Sequence, residues 1–290
     1  MARFGRISTA MVTPFNPDGK IDFELTTALI EYLIENVSDS LVVSGTTGES
    51  PTLSKEEKLE LFNHVVKVVK NRVPIIAGTG SNNTADTIEL TIKASKLGID
   101  AILLVAPYYN KPNQEGLFQH FKAIAESVAI PVMIYNVPGR TVSNIAPETV
   151  IRLSKIPNIV AVKEASGDLS AMTEIISGTS EDFELYCGDD GLTLPSLAIG
   201  AVGVVSVASH IIGANMQEMM TLFYNHQLDQ AAKVHQKNHP VIKGLFAVPS
   251  PAPVKAALNY KGIQVGGVRL PLVTLTDLEK ANLYRLLSDD

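Results

Sequence analysis

The chain has 290 residues, of which 46% are hydrophobic and 19% are charged, and its formal net charge at pH 7 is −6. This composition is typical of a folded globular protein with a large core and excludes a disordered chain. The negative net charge gives no electrostatic basis for binding nucleic acid or an anionic membrane surface.

From the N-terminus onwards, short apolar segments alternate with segments of helical periodicity. The apolar segments are of the kind that is buried on both faces of a parallel sheet. They are Ile7–Val12, Ser40–Val43, Val73–Ala77, Ala101–Ala106, Pro131–Tyr135, Ile159–Lys163, Phe183–Cys187 and Val202–Val207.

A helical segment follows each of these predicted strands. The helices are expected over Phe23–Glu35, Lys55–Lys70, a segment ending near Leu97, Gly116–Ser127, a shorter segment from about Pro147, Leu169–Ile176, a segment ending near Ile199, and Asn215–Tyr224. Ser54 and Glu57 form the capping-box pattern that marks the start of the second helix. Eight β-then-α units with right-handed crossovers predict an α/β fold, the closed (β/α)₈ TIM barrel. The alternative is an open doubly wound sheet, but its first β-to-α turn would need a dinucleotide-binding signature that this sequence lacks.

From Asn225 onwards the pattern changes to helices alone. Helices are expected over His226–His239, Pro253–Tyr260 and Thr276–Leu287. The sequence therefore predicts a barrel over residues 1–224 and a C-terminal helical region over residues 225–290 that packs on the barrel.

The N-terminal residues and the cysteine count indicate the cellular compartment. The N-terminal segment 1–6 lacks the apolar stretch of a signal peptide, and no apolar run approaches the ~20 residues of a transmembrane helix. Cys187 is the single cysteine of the sequence, which excludes an internal disulfide and is typical of a reducing compartment. We therefore expect a cytoplasmic protein.

Lys163 stands at the end of the sixth predicted strand, where barrels of this type carry their active sites. Burial disfavours the ammonium form of a lysine, and a neutral amine can attack a ketone or aldehyde and form a Schiff base. The competing interpretation is a lysine whose stem packs on the strand while its head reaches water.

Two further side chains lie at the end of the fifth predicted strand. Tyr135 and Lys163 are expected at matching points on neighbouring strands, which run ~4.8 Å apart, so that the phenol can move protons for the amine. Arg140 follows a turn after the same strand, and its guanidinium suits a carboxylate. The alternatives are a core tyrosine with a satisfied hydroxyl and a solvated loop arginine.

Other candidate sites are less specific. The glycine-rich segments Gly45–Gly48 and Gly78–Gly80 could bind an anion, but neither matches a P-loop or a G-x-G-x-x-G motif. His235 and His239 have a spacing that suits a metal, without an evident third ligand. Carboxylates that could bind a metal, although their spacing does not require one, are Glu49, Glu164, Asp189 and Asp190. Cys187 is interpreted as a small core residue.

With these residues identified, the chain resembles the dihydrodipicolinate synthase family of pyruvate-dependent aldolases, from about Ile7 to Leu287. The resemblance is carried by Gly45-Thr46-Thr47-Gly48-Glu49, Pro107-Tyr108-Tyr109-Asn110, Tyr135-Asn136-Val137-Pro138-Gly139-Arg140-Thr141 and Val162-Lys163-Glu164. The third stretch favours this family over the related lyases of sialic acid and of keto-sugar acids.

The resemblance implies condensation of pyruvate with L-aspartate 4-semialdehyde, on the route to diaminopimelate and lysine. In such an enzyme Lys163 forms the imine with pyruvate. Tyr135 donates and accepts protons and is linked through Thr46 to Tyr109. The substrate-binding residues that the resemblance implies are Thr47 and Val205 for pyruvate, Arg140 for the carboxylate end of the semialdehyde, and Gly188 for the shape of the site.

The resemblance also carries expectations about cofactors and assembly. It implies that no metal and no organic cofactor is needed, because the imine itself is the electron sink. In the family the second tyrosine, here Tyr109, comes from a neighbouring subunit, which implies at least a dimer and commonly a homotetramer.

One region departs from relatives that lysine inhibits. Those relatives often carry histidines after the Gly-Glu-Ser turn, whereas Lys55 and Lys58 stand here and Pro51 replaces a small residue. Because cations repel the ammonium of lysine, we expect weak or no feedback by lysine.

The residues by themselves leave two other functions open. One is a retro-aldolase of a 2-keto-3-deoxy acid or sialic acid on the same fold, against which Arg140 and the tyrosine pair argue. The other is a non-catalytic barrel, which would not require Lys163, Tyr135 and Thr46 together.

Overall fold

The computed structural model describes residues 2–288. Its sheet is a closed barrel whose eight strands follow one another in chain order, and the recorded strand pairs are parallel. The strands are β1 Ile7–Ala10, β2 Ser40–Val43, β3 Ile75–Gly78, β4 Ala101–Val105, β5 Val132–Asn136, β6 Ile159–Glu164, β7 Glu184–Cys187 and β8 Gly203–Ser206. The predicted (β/α)₈ TIM barrel is confirmed.

Helices alternate with these strands and then continue alone to the end of the described chain. They are α1 Phe23–Glu35, α2 Lys55–Val69, α3 Thr84–Ala94, α4 Gln114–Ala125, α5 Pro138–Thr141, α6 Pro147–Leu153, α7 Leu169–Gly178, α8 Thr193–Ala198, α9 Ser209–Tyr224, α10 Leu228–Leu245, α11 Ala252–Tyr260 and α12 Asp277–Ser288. The predicted capping box of Ser54 and Glu57 is present at the start of α2.

Helices α9 and α10 differ most from their predicted bounds. Helix α9 begins at Ser209, earlier than predicted, and is kinked at Ile212. At the next residue a Cβ on Gly213 would lie 2.7 Å from the Asn36 carbonyl oxygen, so only glycine fits this approach. Helix α10 runs on through Pro240 to Leu245.

A proline inside a helix removes one hydrogen bond and costs about 3 kcal/mol. The apolar stripe of α10 nevertheless continues beyond Pro240, and Val241, Ile242 and Leu245 are all buried. Tertiary packing therefore outweighs the local signal that predicted an end at His239.

The chain divides into two compact units. One unit comprises the residues up to Arg6 together with Pro74–Val205, and the other comprises Ile7–Val73 together with the residues from Ser206 onwards. Within the second unit, α10 and α11 pack on α9, which packs on β1, and α12 packs on α10 and α11. The division of the chain at residue 225 stays a prediction.

The strands form the centre of the core. All residues of β1, β2, β3 and β8 are buried, as expected for parallel strands that are covered on both faces. Within residues 2–288, no helix is both long enough and apolar enough to cross a membrane.

His210, in the first turn of α9, makes the stability of the fold depend on pH. Its Nδ1 lies 2.8 Å from the Val207 carbonyl oxygen, and its Nε2 accepts the Val12 N–H at 3.3 Å, so the ring is held as the neutral tautomer. Burial lowers the pKa of His210 to about 4.

We expect His210 to destabilise the fold as the pH falls. An unfolded histidine takes up a proton near pH 6.5, whereas His210 in the folded chain stays neutral to about pH 4. The unfolded state therefore binds more protons in this window, and the free energy of unfolding should fall by about 3 kcal/mol across it. Urea unfolding between pH 7.5 and pH 4 measures the loss.

A His210→Gln variant should lose less stability over the same range, because no imidazole remains to be protonated. His239→Gln, a change at an exposed histidine, is the matched control and should follow the parent protein. Equal slopes for His210→Gln and the parent protein would contradict the assignment.

Candidate active site

Lys163 and Tyr135 are brought together by the pairing of β6 with β5. Tyr135 is the register partner of Lys163, as the sequence predicts. The Lys163 Nζ lies 4.2 Å from the centroid of the Tyr135 ring, and the two residues are only 6% and 5% exposed. The interpretation in which the lysine head reaches water is therefore wrong. The amine is a sheltered group against an aromatic face at the carboxyl end of a strand.

Gly188 directly follows β7 and leaves room for the lysine stem. A Cβ at Gly188 would lie 3.1 Å from both Cγ and Cε of Lys163 and 2.6 Å from the Cβ of Ala165. The Gly188 N–H also donates to the Glu164 carbonyl oxygen at 2.7 Å. The backbone of Gly188 thus forms one wall beside Lys163, and this wall tolerates no side chain.

Glu164, the residue after Lys163, is buried and has a structural partner on β5. Its Oε2 accepts the Nδ2–H of Asn136 at 2.9 Å, and its Oε1 accepts the Ser166 N–H at 2.7 Å. Burial raises the pKa of the Glu164 carboxyl, against the lowering effect of these hydrogen bonds. Glu164, which the sequence offered as a metal ligand, therefore joins the ends of β5 and β6.

Asn136 extends this connection to the loop that carries Arg140. Its Nδ2–H donates to the Asn144 Oδ1 at 2.8 Å, and its Oδ1 accepts the Ile145 N–H at 3.0 Å. Sequence reasoning assigned no role to the Asn136 side chain. The available signal was its place between Tyr135 and the turn, at the end of a buried strand.

Arg140 and Tyr109 lie on loops that meet in the first unit. Arg140 is exposed and is the last residue but one of the short helix α5. The Tyr109 N–H donates to the Thr141 carbonyl oxygen at 3.4 Å. Tyr109 has a left-handed φ of 72° and its side chain is 88% exposed, so the ring is presented to solvent by this chain.

The other predicted site residues are placed as follows. Val205 is buried in β8 of the first unit. Thr46 and Thr47 lie in the loop after β2 in the second unit, where Thr47 is buried and Thr46 is half-buried.

The loop after β2 is a tight turn. The Glu49 N–H donates to the Thr46 carbonyl oxygen at 3.1 Å, and the Ser50 N–H donates to the Gly45 carbonyl oxygen at 3.2 Å. A Cβ at Gly48 would lie 3.1 Å from the Cα of Ser44. The N–H groups of Glu49 and Ser50 close the turn, and the interpretation of the loop as an anion site stays a prediction.

The remaining candidates are the proposed metal ligands and Cys187. Within the described residues, no group of three or more His, Cys, Asp or Glu side chains is arranged to hold a metal ion. The His235 and His239 rings lie 6.3 Å apart on α10. Asp189 accepts the Gly191 N–H at 2.8 Å. Cys187 is buried, and burial raises the pKa of its thiol to about 11, as befits a core residue.

Comparison with known proteins gives one consistent result. A family model described as the dihydrodipicolinate synthetase family matches residues 3–290. The 4-hydroxy-tetrahydrodipicolinate synthase of Bacillus velezensis is 61% identical over 98% of this chain and 99% of its own length.

Solved structures agree with this match. The dihydrodipicolinate synthase of Bacillus anthracis superposes with a TM-score of 0.99 at 58% identity, covering 100% of this chain and 99% of its own. The enzyme of Cyanidioschyzon merolae, solved with lysine bound, has a TM-score of 0.96 at 46% identity and covers 98% of this chain and 97% of its own.

Proposed function

The chain belongs to the dihydrodipicolinate synthetase family, and we propose that the amine of Lys163 is the group with which it condenses pyruvate and L-aspartate 4-semialdehyde. Its reaction is that of a 4-hydroxy-tetrahydrodipicolinate synthase, a lyase of the diaminopimelate and lysine pathway. The observation that carries the proposed site is the sheltered Lys163 Nζ, 4.2 Å from the Tyr135 ring centroid, at the carboxyl end of a barrel strand.

The proposed chemistry begins with attack of the Lys163 amine on the keto carbon of pyruvate. The carbinolamine loses water and becomes an imine, which withdraws electrons from the neighbouring methyl carbon. Loss of a proton from that carbon gives an enamine, whose carbon attacks the aldehyde of the semialdehyde. The amino group of the semialdehyde then attacks the imine carbon, closes the ring and releases Lys163 as a free amine.

We assign the proton transfers to Tyr135. Its ring lies against the amine, and general acid–base catalysis requires a titratable group within reach of the reacting atoms. The relay that the family resemblance implies, from Tyr135 through Thr46 to Tyr109, stays a prediction.

Substrate binding is assigned by the same resemblance. We propose that Arg140 binds the carboxylate end of the semialdehyde, because its guanidinium is exposed and can form a bidentate pair. Thr47 and Val205 stay predicted contacts of pyruvate. Gly188 has the most direct support, since any side chain there would collide with the stem of Lys163.

We propose that the reaction needs no metal or organic cofactor, because the imine supplies the electron sink. We also propose a homotetramer, and at least a dimer, since the phenol of Tyr109 faces away from its own chain. Sedimentation at micromolar concentration measures that assembly. A cytoplasmic location is proposed from the reduced state of Cys187.

Borohydride trapping tests the proposed function. Reduction in the presence of pyruvate should attach a stable adduct to the peptide that carries Lys163, and product should then form with L-aspartate 4-semialdehyde. An unmodified chain would support a non-catalytic barrel. Trapping followed by turnover of a 2-keto-3-deoxy acid, and not of the semialdehyde, would support a retro-aldolase.

A Tyr135→Phe variant should form the imine but turn over slowly. Loss of the hydroxyl removes the proton donor and acceptor while the ring beside Lys163 remains, so we expect kcat to fall by about 10²-fold or more. Steady-state rates and borohydride trapping measure the two effects separately.

Tyr186→Phe is the matched control, because Tyr186 is the partner of Lys163 on β7. Its hydroxyl is held by the Phe4 N–H at 3.0 Å and by Glu184 at 3.0 Å, so its loss should affect stability more than turnover. Normal turnover by Tyr135→Phe would remove the role assigned to that residue.

Lysine should inhibit this enzyme weakly or not at all. Lys55 begins α2 and Lys58 lies one turn further on, and both side chains carry the same charge as the ligand's ammonium group. Initial rates in the presence of added lysine measure the effect, and the Cyanidioschyzon merolae enzyme, whose structure holds lysine, is assayed beside it. A variant with both Lys55→His and Lys58→His should become more sensitive. Inhibition of the unmodified enzyme by submillimolar lysine would show the prediction to be wrong.

A further inference from the structure

Within the second unit, four charged residues and one phenylalanine join the C-terminal region to the turn after β2, with a buried ion pair at their centre. We call this group the Glu49 cluster, and it consists of Phe15, Glu49, Glu57, Lys255 and Arg269. None of these side chains has a part in the proposed chemistry.

The centre of the Glu49 cluster is an ion pair. The Lys255 Nζ lies 2.7 Å from the Glu49 Oε1, and the two side chains are 2% and 1% exposed. Lys255 also donates to the Gly267 carbonyl oxygen at 2.6 Å and lies 4.1 Å above the Phe15 ring centroid. Burial lowers the pKa of Lys255 to about 8, against the opposing effect of Glu49. An ammonium at this depth is therefore maintained by its carboxylate partner.

Arg269 completes the connection. Its backbone N–H donates to the Glu49 Oε2 at 2.9 Å. Its guanidinium forms two hydrogen bonds with Glu57, at 2.6 and 2.9 Å, and a third with the Thr52 carbonyl oxygen at 2.7 Å. Two points of the C-terminal region, one on α11 and one after it, thus hold the segment between β2 and α2.

The held segment includes Thr46 and Thr47. Glu49 has a left-handed φ of 57°, which is unfavourable for a residue with a side chain, and its N–H closes the turn onto the Thr46 carbonyl oxygen at 3.1 Å. Such a conformation persists only where the surroundings fix it. The Glu49 carboxylate, fixed on both oxygens by residues of the C-terminal region, supplies that constraint.

A buried ion pair is weak evidence for stability, because apolar residues of similar size often serve the fold equally well. What such an ion pair can do is favour one backbone conformation over others. We propose that Glu49 and Lys255 are positioning residues: their ion pair holds the Thr46–Thr47 turn in the conformation that the reaction uses, so the C-terminal region determines turnover through the loop after β2. This inference rests on the proposed function of Thr46 and Thr47.

The test replaces both charges at once, so that no unpaired charge stays buried. A double variant with Glu49→Gln and Lys255→Met should remain folded by thermal unfolding. We expect deuterium exchange in the peptide that covers residues 45–50 to become at least tenfold faster, and kcat to fall at least tenfold. Borohydride trapping of pyruvate on Lys163 should persist, because the lysine itself is unchanged.

The matched control is the exposed ion pair of Arg72 and Glu31 in the same unit, which is 2.6 Å long. A double variant with Arg72→Met and Glu31→Gln should leave both exchange at 45–50 and kcat within twofold of the parent protein. If the Glu49 and Lys255 variant does not fold, Glu49→Gln alone makes the comparison, because the amide keeps the size of the side chain and removes the charge that Lys255 pairs with. Glu49→Gln should then accelerate exchange and lower kcat at least threefold.

Exchange and turnover that both stay within twofold of the parent protein in the folded variant would overturn the inference. This test can fail independently of the test of the proposed function. If pyruvate cannot be trapped on the parent protein, the proposed function fails, while exchange at 45–50 still decides whether the cluster holds the turn.

Discussion

Lys163→Arg is expected to abolish trapping with pyruvate and to lower activity by roughly 10³-fold or more. Arginine is a long basic side chain like lysine, but its guanidinium is not deprotonated in proteins and cannot form the imine. The variant therefore separates the chemistry of a neutral amine from the packing of a long side chain against Tyr135. Steady-state rates and mass spectrometry of the reduced adduct measure both effects.

Lys155→Arg provides the matched control for this change. Lys155 is exposed in the same unit, and the replacement should leave rate and trapping unchanged. A Lys163→Arg variant that still condenses the two substrates at a rate near that of the parent protein would contradict the assignment of the covalent step.

Gly188→Ala is expected to be the most damaging change outside the pair of Lys163 and Tyr135. The new Cβ would lie 3.1 Å from two carbons of the Lys163 stem and 2.6 Å from the Ala165 Cβ, so at least one neighbour must move. A displacement of about 1 Å at a reacting group can lower the rate by about 10²-fold. Overpacking of this kind also costs about 1–3 kcal/mol of stability. We expect slower trapping and a lower kcat in a protein that still folds.

Gly116→Ala tests whether the effect depends on the lysine. In α4 the added Cβ would lie 3.1 Å from the Cβ of Pro112, the same distance that separates a Cβ at Gly188 from the stem of Lys163. Alanine is also the better helix former. This variant should retain its activity, and equal losses for the two variants would contradict the role of Gly188.

The barrel could be predicted because its strands are buried on both faces and therefore appear as continuous apolar runs. The pairing of Tyr135 with Lys163 followed from the same pattern, since each residue ends a strand and one crossover separates them. The bounds of helix α9 could not be predicted, because no local pattern reveals its kink at Ile212 or the close approach of Gly213 to Asn36.

The supporting contacts of the site could not be predicted for a different reason. Lys255 and Arg269 reach Glu49 from more than 200 residues further along the chain, and a sequence pattern of period 2 or 3.6 carries no such information. Similarly, Asn136 and Glu164 belong to two separate sequence motifs. Their hydrogen bond follows only from the register of two strands.

That hydrogen bond has a consequence for how the chain tolerates insertions and deletions. Each residue of a strand has one register partner, so a slip of β6 by one position would place either Glu164 or Val162 opposite Tyr135 instead of Lys163. A slip in one direction would bring an acid to the phenol ring, and a slip in the other would place the cation of Lys163 opposite Asn136. The Asn136–Glu164 hydrogen bond therefore favours the one register of β5 and β6 that places Lys163 beside Tyr135. Deletion of one residue before β6 should lower activity far more than deletion of one residue after it.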